Sequence, residues 1–344
     1  VSMAVMKPGL FTTVQDRGRP GWRSLGVTAG GAMDSYALRA ANLLTGNLPE
    51  AAGLEMTLSG AELEVREDLL IAITGANMTP SADGEELPMW RPVWVRRGTC
   101  LKFGTAVEGC RTYLSAAGGI EVPEVLSSRG TDVRAGFGGL EGRPLMAGDL
   151  LTTGLTEPWR SQWAVRWAEK LRRQAAAEGR RWAVPSWYAL PEAYAGGGRI
   201  AGHHVLRVTA GAEYSSFTKA SLEVFFSTSY LVSSSSDRMG CRLTEGAKLE
   251  RTASGEVLSR GIVPGTVQVP PGGQPIVLGA DCQTTGGYPV MAHVISADLP
   301  LLAQLKPGDK VCFTETGLEE AHAALVRQEA ALRMLEAGLC ARLP

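Results

Sequence analysis

No glycine in this 344-residue sequence is followed by lysine, which excludes a Walker-type phosphate loop. A GxSxG nucleophile elbow is absent as well. The six cysteines form no CxxC pair, and none has a histidine at zinc-finger spacing. They read as small hydrophobes in a reducing compartment, not as a disulfide set or a nucleophile. With only four histidines, a metal site would need nearly all of them or many carboxylates, and none is expected. No apolar run approaches the roughly 18 residues of a membrane span, and residues 1–10 lack the long apolar core of a signal peptide. An excess of one charge is missing too. The 34 Lys and Arg against 35 Asp and Glu give net −1, so no global field steers the chain to nucleic acid or anionic lipid. These absences predict a cytoplasmic protein that binds neither nucleic acid nor membrane.

What is present is an ordinary globular composition, with 44% hydrophobic and 20% charged residues. The length suggests about two domains and a core that needs no staples. The 42 glycines and 19 prolines punctuate short apolar stretches: 69–74, 93–95, 113–116, 205–208, 224–226, 267–269 and 276–278. Frequent short strands between Gly/Pro turns predict a barrel or sandwich. Helices are few. Asp34 is placed to cap a helix over 34–44, with Tyr36, Leu38, Ala41 and Leu44 toward the core. A second helix is expected over 318–337, with Ala321, Ala324, Leu325, Leu332 and Leu335 on its apolar side.

Between them, Trp159, Trp163 and Trp167 recur every fourth residue and Leu171 follows, the spacing of one face of an amphipathic helix ending near Gly179. That face either packs on its own domain or docks a partner, since Trp and Arg dominate interface hot spots. Gly196, Gly197 and Gly198 look like a hinge into the second half. Two motifs are decoys. Ser216–Lys219 matches SxxK without its companions. Met6-Lys7 looks like half of a biotin-attachment site, but Pro8 stands where such a site has Met, so no biotin is expected on this chain.

Several segments carry a resemblance. They are GLFTTVQDRGRPG at 9–21, GAMD at 31–34, ANLLTGN at 41–47, LE at 54–55 and TGA at 74–76. Tyr113-Leu114, Gly118-Gly119, Gly142-Arg143 and Gly148-Asp149 continue the pattern. SDRMG at 236–240, VQVP at 267–270 and QTTGGYP at 283–289 complete it. Together these resemble the family called allophanate hydrolase subunit 2 or biotin-dependent carboxyltransferase-like, which includes KipA-like proteins and the C-type subunit of bacterial 5-oxoprolinase. The resemblance implies a mainly β fold of two cyclophilin-like β-barrel subdomains with a few flanking helices. It suggests subdomains at 1–155 and 201–316, a Trp-rich helical insert and Gly linker at 156–200, and a C-terminal helix at 317–344.

For function, the resemblance implies first a subunit of an ATP-dependent 5-oxoprolinase, which opens the 5-oxoproline lactam to L-glutamate. Its partners would be a subunit-1-type (KipI-like) chain and a further 5-oxoprolinase subunit, with ATP shared between chains. The alternatives are a KipA-like regulator that binds a kinase inhibitor, and a carboxyltransferase component acting on urea or a related amide with a separate biotin carrier. The sequence departs from the family pattern in places. Ser127-Ser128-Arg129-Gly130-Thr131 replaces a Gly-Ser-Arg-Ser-Thr run, Cys241 replaces a Tyr, and Gly211-Ala212-Glu213 replaces a Gly-Pro-Gln.

A lactam, a urea and a ureido ring all present a carbonyl beside an N–H. Gln283 carries the matching amide, Thr284 and Thr285 add hydroxyls, and Gly286 and Gly287 permit close backbone approach. Tyr288 can donate a proton or stack. The bland reading is a tight turn whose polar side chains satisfy the backbone. Arg238 can grip a carboxylate or phosphate in two prongs, with Asp237 as a general base or as its structural partner. Asp237, Arg238, Gln283, Thr285 and Tyr288 are therefore the catalytic candidates. Gln15, Asp16, Arg17, Glu55, Arg129, Thr131, Thr284, Gly286 and Gly287 are the substrate-binding ones, although Gln15, Asp16, Arg17, Glu55, Arg129 and Thr131 read equally as packing between subdomains. His293 lies near the Gln283 loop in sequence and reads first as a satisfied core histidine.

Overall fold

Six of the seven short apolar runs become strands, because alternate residues can be buried on one face of a pleated sheet. They lie within Leu69–Asn77, Pro92–Val95, Glu108–Ala116, His203–Ala210, Thr266–Gln268 and Ile276–Leu278. The run at 224–226 is the exception and belongs to a helix, Lys219–Ser227. Thr218 caps that helix by accepting the Ser221 N–H, and Phe225 is buried in a stack on Phe313 with ring centroids 4.5 Å apart. A short apolar run has no period of its own, and here the cap decides. The computed structural model describes residues 1–154, 158–189, 199–200, 202–252, 255 and 257–341. Its helices are α1 (Ser35–Leu44), α2 (Pro158–Glu178), α3 (Lys219–Ser227), α4 (Leu299–Ala303) and α5 (Leu318–Ala341). No described helix is long and apolar enough to cross a membrane. The fold is mainly β, as expected.

The chain divides into two compact units that do not follow sequence order. The first comprises Val1–Gly18, Asp34–Pro191 and Ala330–Pro344, and the second comprises Arg19–Met33 and Glu192–Glu329. In the first unit, a seven-stranded sheet runs in the order Ile120–Glu121, Leu150–Thr153, Met3–Lys7, Glu62–Val65, Cys100–Lys102, Ser81–Ala82, Glu85–Glu86. A six-stranded sheet runs Trp182–Ala183, Pro92–Val95, Leu69–Asn77, Glu108–Ala116, Gly53–Thr57, Phe11–Gln15. Residues of both sheets, among them Met3, Leu54, Leu63, Ile71, Val93 and Leu114, form one buried core. Asp34 caps α1 through the Ala37 N–H, as the sequence predicts.

Trp163 and Trp167 of the α2 stripe belong to this unit's interior. Both are buried, the Trp163 indole N–H donates to the Leu339 carbonyl at 2.8 Å, and Trp187 meets Trp167 edge-on at 5.5 Å. Of the two readings of that face, packing on the fold is the one observed for these residues. The Gly196–Gly198 hinge lies outside the described residues.

The second unit is a closed barrel. Seven strands run His203–Ala210, Val290–Val294, Thr266–Gln268, Ile276–Leu278, Gly240–Thr244, Tyr230–Val232 and Lys310–Glu315, and the last pairs in parallel with the first. Leu206, Phe225, Tyr230, Val267, Val277, Met291 and Phe313 fill it. Closure places the 236–240 and 280–288 loops together, because Gly240–Thr244 is the direct neighbour of Ile276–Leu278.

Candidate functional site

In the barrel unit, the Ser-Asp-Arg and Gln-Thr-Thr segments meet through an ion pair. The Arg238 guanidinium grips Asp281 in two prongs, Nε to Oδ2 at 2.7 Å and Nη2 to Oδ1 at 2.8 Å, and Nη2 also donates to the Gly31 carbonyl at 2.6 Å. Both partners are largely buried, and the remaining bonds of the pair offset the cost of removing the charges from water. Asp237 takes another part. Its Oδ1 accepts the Met239 and Gly240 N–H groups at 2.9 and 3.1 Å and shapes the turn. The carboxylate that Arg238 holds is therefore Asp281, two residues before Gln283.

The Gln283 loop is fastened at its backbone. Arg23, from a single 3-10 turn at Arg23–Leu25, donates to the Gln283 carbonyl at 3.2 Å and also to the Ile262 carbonyl. The Ile262 N–H donates to the Thr284 carbonyl at 3.1 Å, and Arg260–Gly261 pairs with Thr285–Gly286. A Cβ at Gly286 would stand 2.7 Å from Gln268 Nε2 and 2.8 Å from Ile262 Cδ1, so both side-chain ends would have to shift to admit one. Burial raises the Cys282 thiol, and the Arg23 guanidinium beside it opposes the rise. By contrast, the side chains of Gln283, Thr284, Thr285 and Tyr288 make no hydrogen bond among the described residues. Gly287 and Tyr288 also line an open cavity of about 860 Å³, walled by Phe217, Val269, Pro270, Pro271 and Pro289.

The first unit gathers another group of candidates. Asp16, Arg17 and Arg129 line a cavity of about 280 Å³ together with Glu50, Glu121, Glu124 and the Gly118-Gly119 turn. Asp16 is consumed in holding the loop. Its Oδ1 accepts Ser128 Oγ at 2.7 Å and the Gly18 N–H at 2.8 Å, and its Oδ2 accepts the Arg129 N–H at 2.6 Å. Those bonds support Leu126 and Ser127 in left-handed conformations (φ 54° and 61°), which cost non-glycine residues energy. Arg129 reaches Glu124 at 2.6 Å and Glu121 at 3.5 Å. Gln15 and Thr131 brace the same segment: Gln15 Nε2 donates to the Thr131 carbonyl at 3.1 Å, and Thr131 Oγ1 to the Val14 carbonyl at 2.9 Å.

Glu55 stands apart from this cavity. It is buried on Gly53–Thr57 and accepts the Tyr113 hydroxyl at 2.7 Å, while Tyr113 in turn accepts the Asp34 N–H at 2.8 Å. Burial first, and then the Glu55 charge, hold the Tyr113 phenol well above its ordinary range, so it stays a donor. Sequence reasoning missed Arg23 and Asp281. It also missed the use of ANLLTGN, in which Asn42, Thr45 and Asn47 converge on Ser115, and the Asn47 Oδ1 accepts the Gly118 N–H at 2.8 Å. No described group of three or more His, Cys, Asp or Glu is arranged to hold a metal.

These loops carry the motifs on which the resemblance rests, and comparison with known proteins agrees. The carboxyltransferase domain, subdomain A and B, matches residues 25–315. The chain belongs to that family. Within the carboxyltransferase family it is similar to the C-type subunit of 5-oxoprolinase from Escherichia coli, 40% identical over 325 residues that cover 93% of each chain. It is 31% identical to urea amidolyase of Saccharomyces cerevisiae over 99% of its own length but 18% of that enzyme's. Among solved structures, Kluyveromyces lactis urea amidolyase superposes with a TM-score of 0.83 at 29% identity over 97% of this chain. The chain thus spans about a fifth of that enzyme, 20% of its length.

Proposed function

We propose that this chain is the C-type subunit of an ATP-dependent 5-oxoprolinase, opening the lactam of 5-oxoproline to L-glutamate in a complex with other subunits. The observation that carries the reading is the 40% identity, over 93% of each chain, with the C-type subunit of a 5-oxoprolinase. The uncommitted Gln283 amide supports it from the chemical side. Gln283 Oε1 accepts a lactam N–H while Nε2 donates to the adjacent carbonyl, a two-bond match with a cis amide. Thr284 and Thr285 supply further donors at the same loop, and Tyr288 borders the larger cavity. Beside this loop, Arg23 and Arg238 are already engaged by carbonyls and by Asp281. In this proposal ATP is shared between this chain and a partner chain.

The test is the chain assembled with its partner subunits and supplied with ATP and 5-oxoproline. L-Glutamate release that depends on ATP and on this chain is expected. Gln283→Ala and Gln283→Glu should lower it about 100-fold while the complex still assembles. An assembled wild-type complex that yields no glutamate overturns the reading. A second reading, a carboxyltransferase component acting on urea with a separate biotin carrier, draws on the superposition with urea amidolyase. Activity abolished by avidin would select it.

A further inference from the structure

We propose that Arg23 and Asp281 are positioning residues for Gln283: they lock the backbone on either side of it, so that its amide is offered to a ligand in one orientation. The proposal rests on the role given to Gln283 above. Arg23 joins two carbonyls that belong to different segments, Ile262 and Gln283, and the Ile262 N–H returns to the Thr284 carbonyl. Residues 262, 283 and 284 thereby form a hydrogen-bonded ring through one guanidinium. On the other side, the Asp281 carboxylate holds the Arg238 fork while the Asp281 N–H donates to the Arg238 carbonyl at 3.0 Å. The Gly30 N–H also reaches the Ala280 carbonyl at 3.2 Å. Every one of these bonds ends on backbone or on the Asp281 carboxylate, and none uses the Gln283 amide. A loop built only for stability would have little reason to spend two buried or half-buried arginines on its backbone while leaving its best hydrogen-bonding side chain uncommitted.

The donor geometry sets the test. Both Arg23 bonds leave one nitrogen, Nη2, so a lysine ammonium, with three donors but a differently shaped and shorter side chain, can replace them only in part. Arg23→Ala, Arg23→Lys and Asp281→Asn are compared with wild type in the assembled complex, reading kcat and KM for 5-oxoproline, thermal melting and amide exchange at residues 284–288. Arg23→Ala and Asp281→Asn should lower kcat about 10- to 100-fold, the cost of displacing a reacting group by about 1 Å, and speed exchange in the loop. Arg23→Lys should recover part of both. A merely structural role would lower the melting temperature and leave kcat alone. Unchanged exchange and unchanged kcat in Arg23→Ala overturn the proposal. If wild type itself forms no glutamate, the functional reading fails, and the exchange comparison alone still decides whether Arg23 orders the loop. Should Arg23→Ala fail to fold, Arg23→Lys and Asp281→Asn give the same readouts.

Discussion

His293 lies on the barrel strand Val290–Val294, opposite Thr266, whose hydroxyl is 3.3 Å from Nδ1. Burial lowers the imidazole below its ordinary value of 6.5, and Glu213 offsets only part of that. Above 6.5 the folded and unfolded chains are both neutral at this site. As pH falls below it, the unfolded chain takes a proton that the folded chain refuses, so stability declines until the folded value is reached and then levels off. Urea midpoints measured between about pH 7 and 5 should therefore fall more steeply for wild type than for His293→Gln. Parallel profiles would count against this assignment. Single residues also mark the limits of reading a sequence. The chemistry of Gln283 and its threonines is legible from side-chain type alone. The partners of Arg238 and Arg23 are not, because Asp281 lies 43 residues away and Gln283 lies 260 away. Sequence adjacency favoured Asp237 for Arg238, yet neighbouring side chains diverge and Asp237 found backbone donors closer.

At the scale of elements, the periodicity of α2 and the cap of α1 are visible in the sequence because both obey local rules. What covers an apolar face is a long-range matter: the Trp163 indole finds its acceptor 176 residues on, at the end of α5. The C-terminal turn of α1 is another case. Ser115 donates to Asn42 Oδ1 at 2.7 Å, receives Asn47 Nδ2 at 3.1 Å and meets the Thr45 hydroxyl at 2.9 Å. This buried network ties α1 to the strand Glu108–Ala116 and, through Asn47, to the diglycine turn of the smaller cavity. Ser115→Ala leaves several buried groups short of a partner and should cost about 2 kcal/mol in denaturant unfolding. A loss below about 0.5 kcal/mol would mean that the network relaxes onto water.

For the whole molecule, the chain passes between its two units four times, after Gly18, Met33, Pro191 and Glu329. Length and punctuation made two β-rich parts predictable, but nothing local announces that Arg19–Met33 joins the second. Seven of the eight tryptophans, all but Trp22, belong to the first unit, so indole emission reports mainly on that part. With so many crossings, neither unit can unravel without dragging on the other. Tryptophan emission and far-ultraviolet dichroism should give one coincident urea transition, and two separated midpoints would refute that.

The closed ring also bears on self-association. A strand within it has no open flank on which another chain could build, and the first unit's sheets end mostly in strands of two residues: Ile120–Glu121, Glu85–Glu86 and Trp182–Ala183. The long border strand, Phe11–Gln15, is sheathed by its own loops, since the Leu145 and Thr131 N–H groups take the carbonyls of Thr12 and Val14. Among the described residues, few long strand edges are thus left on which another chain could build a sheet.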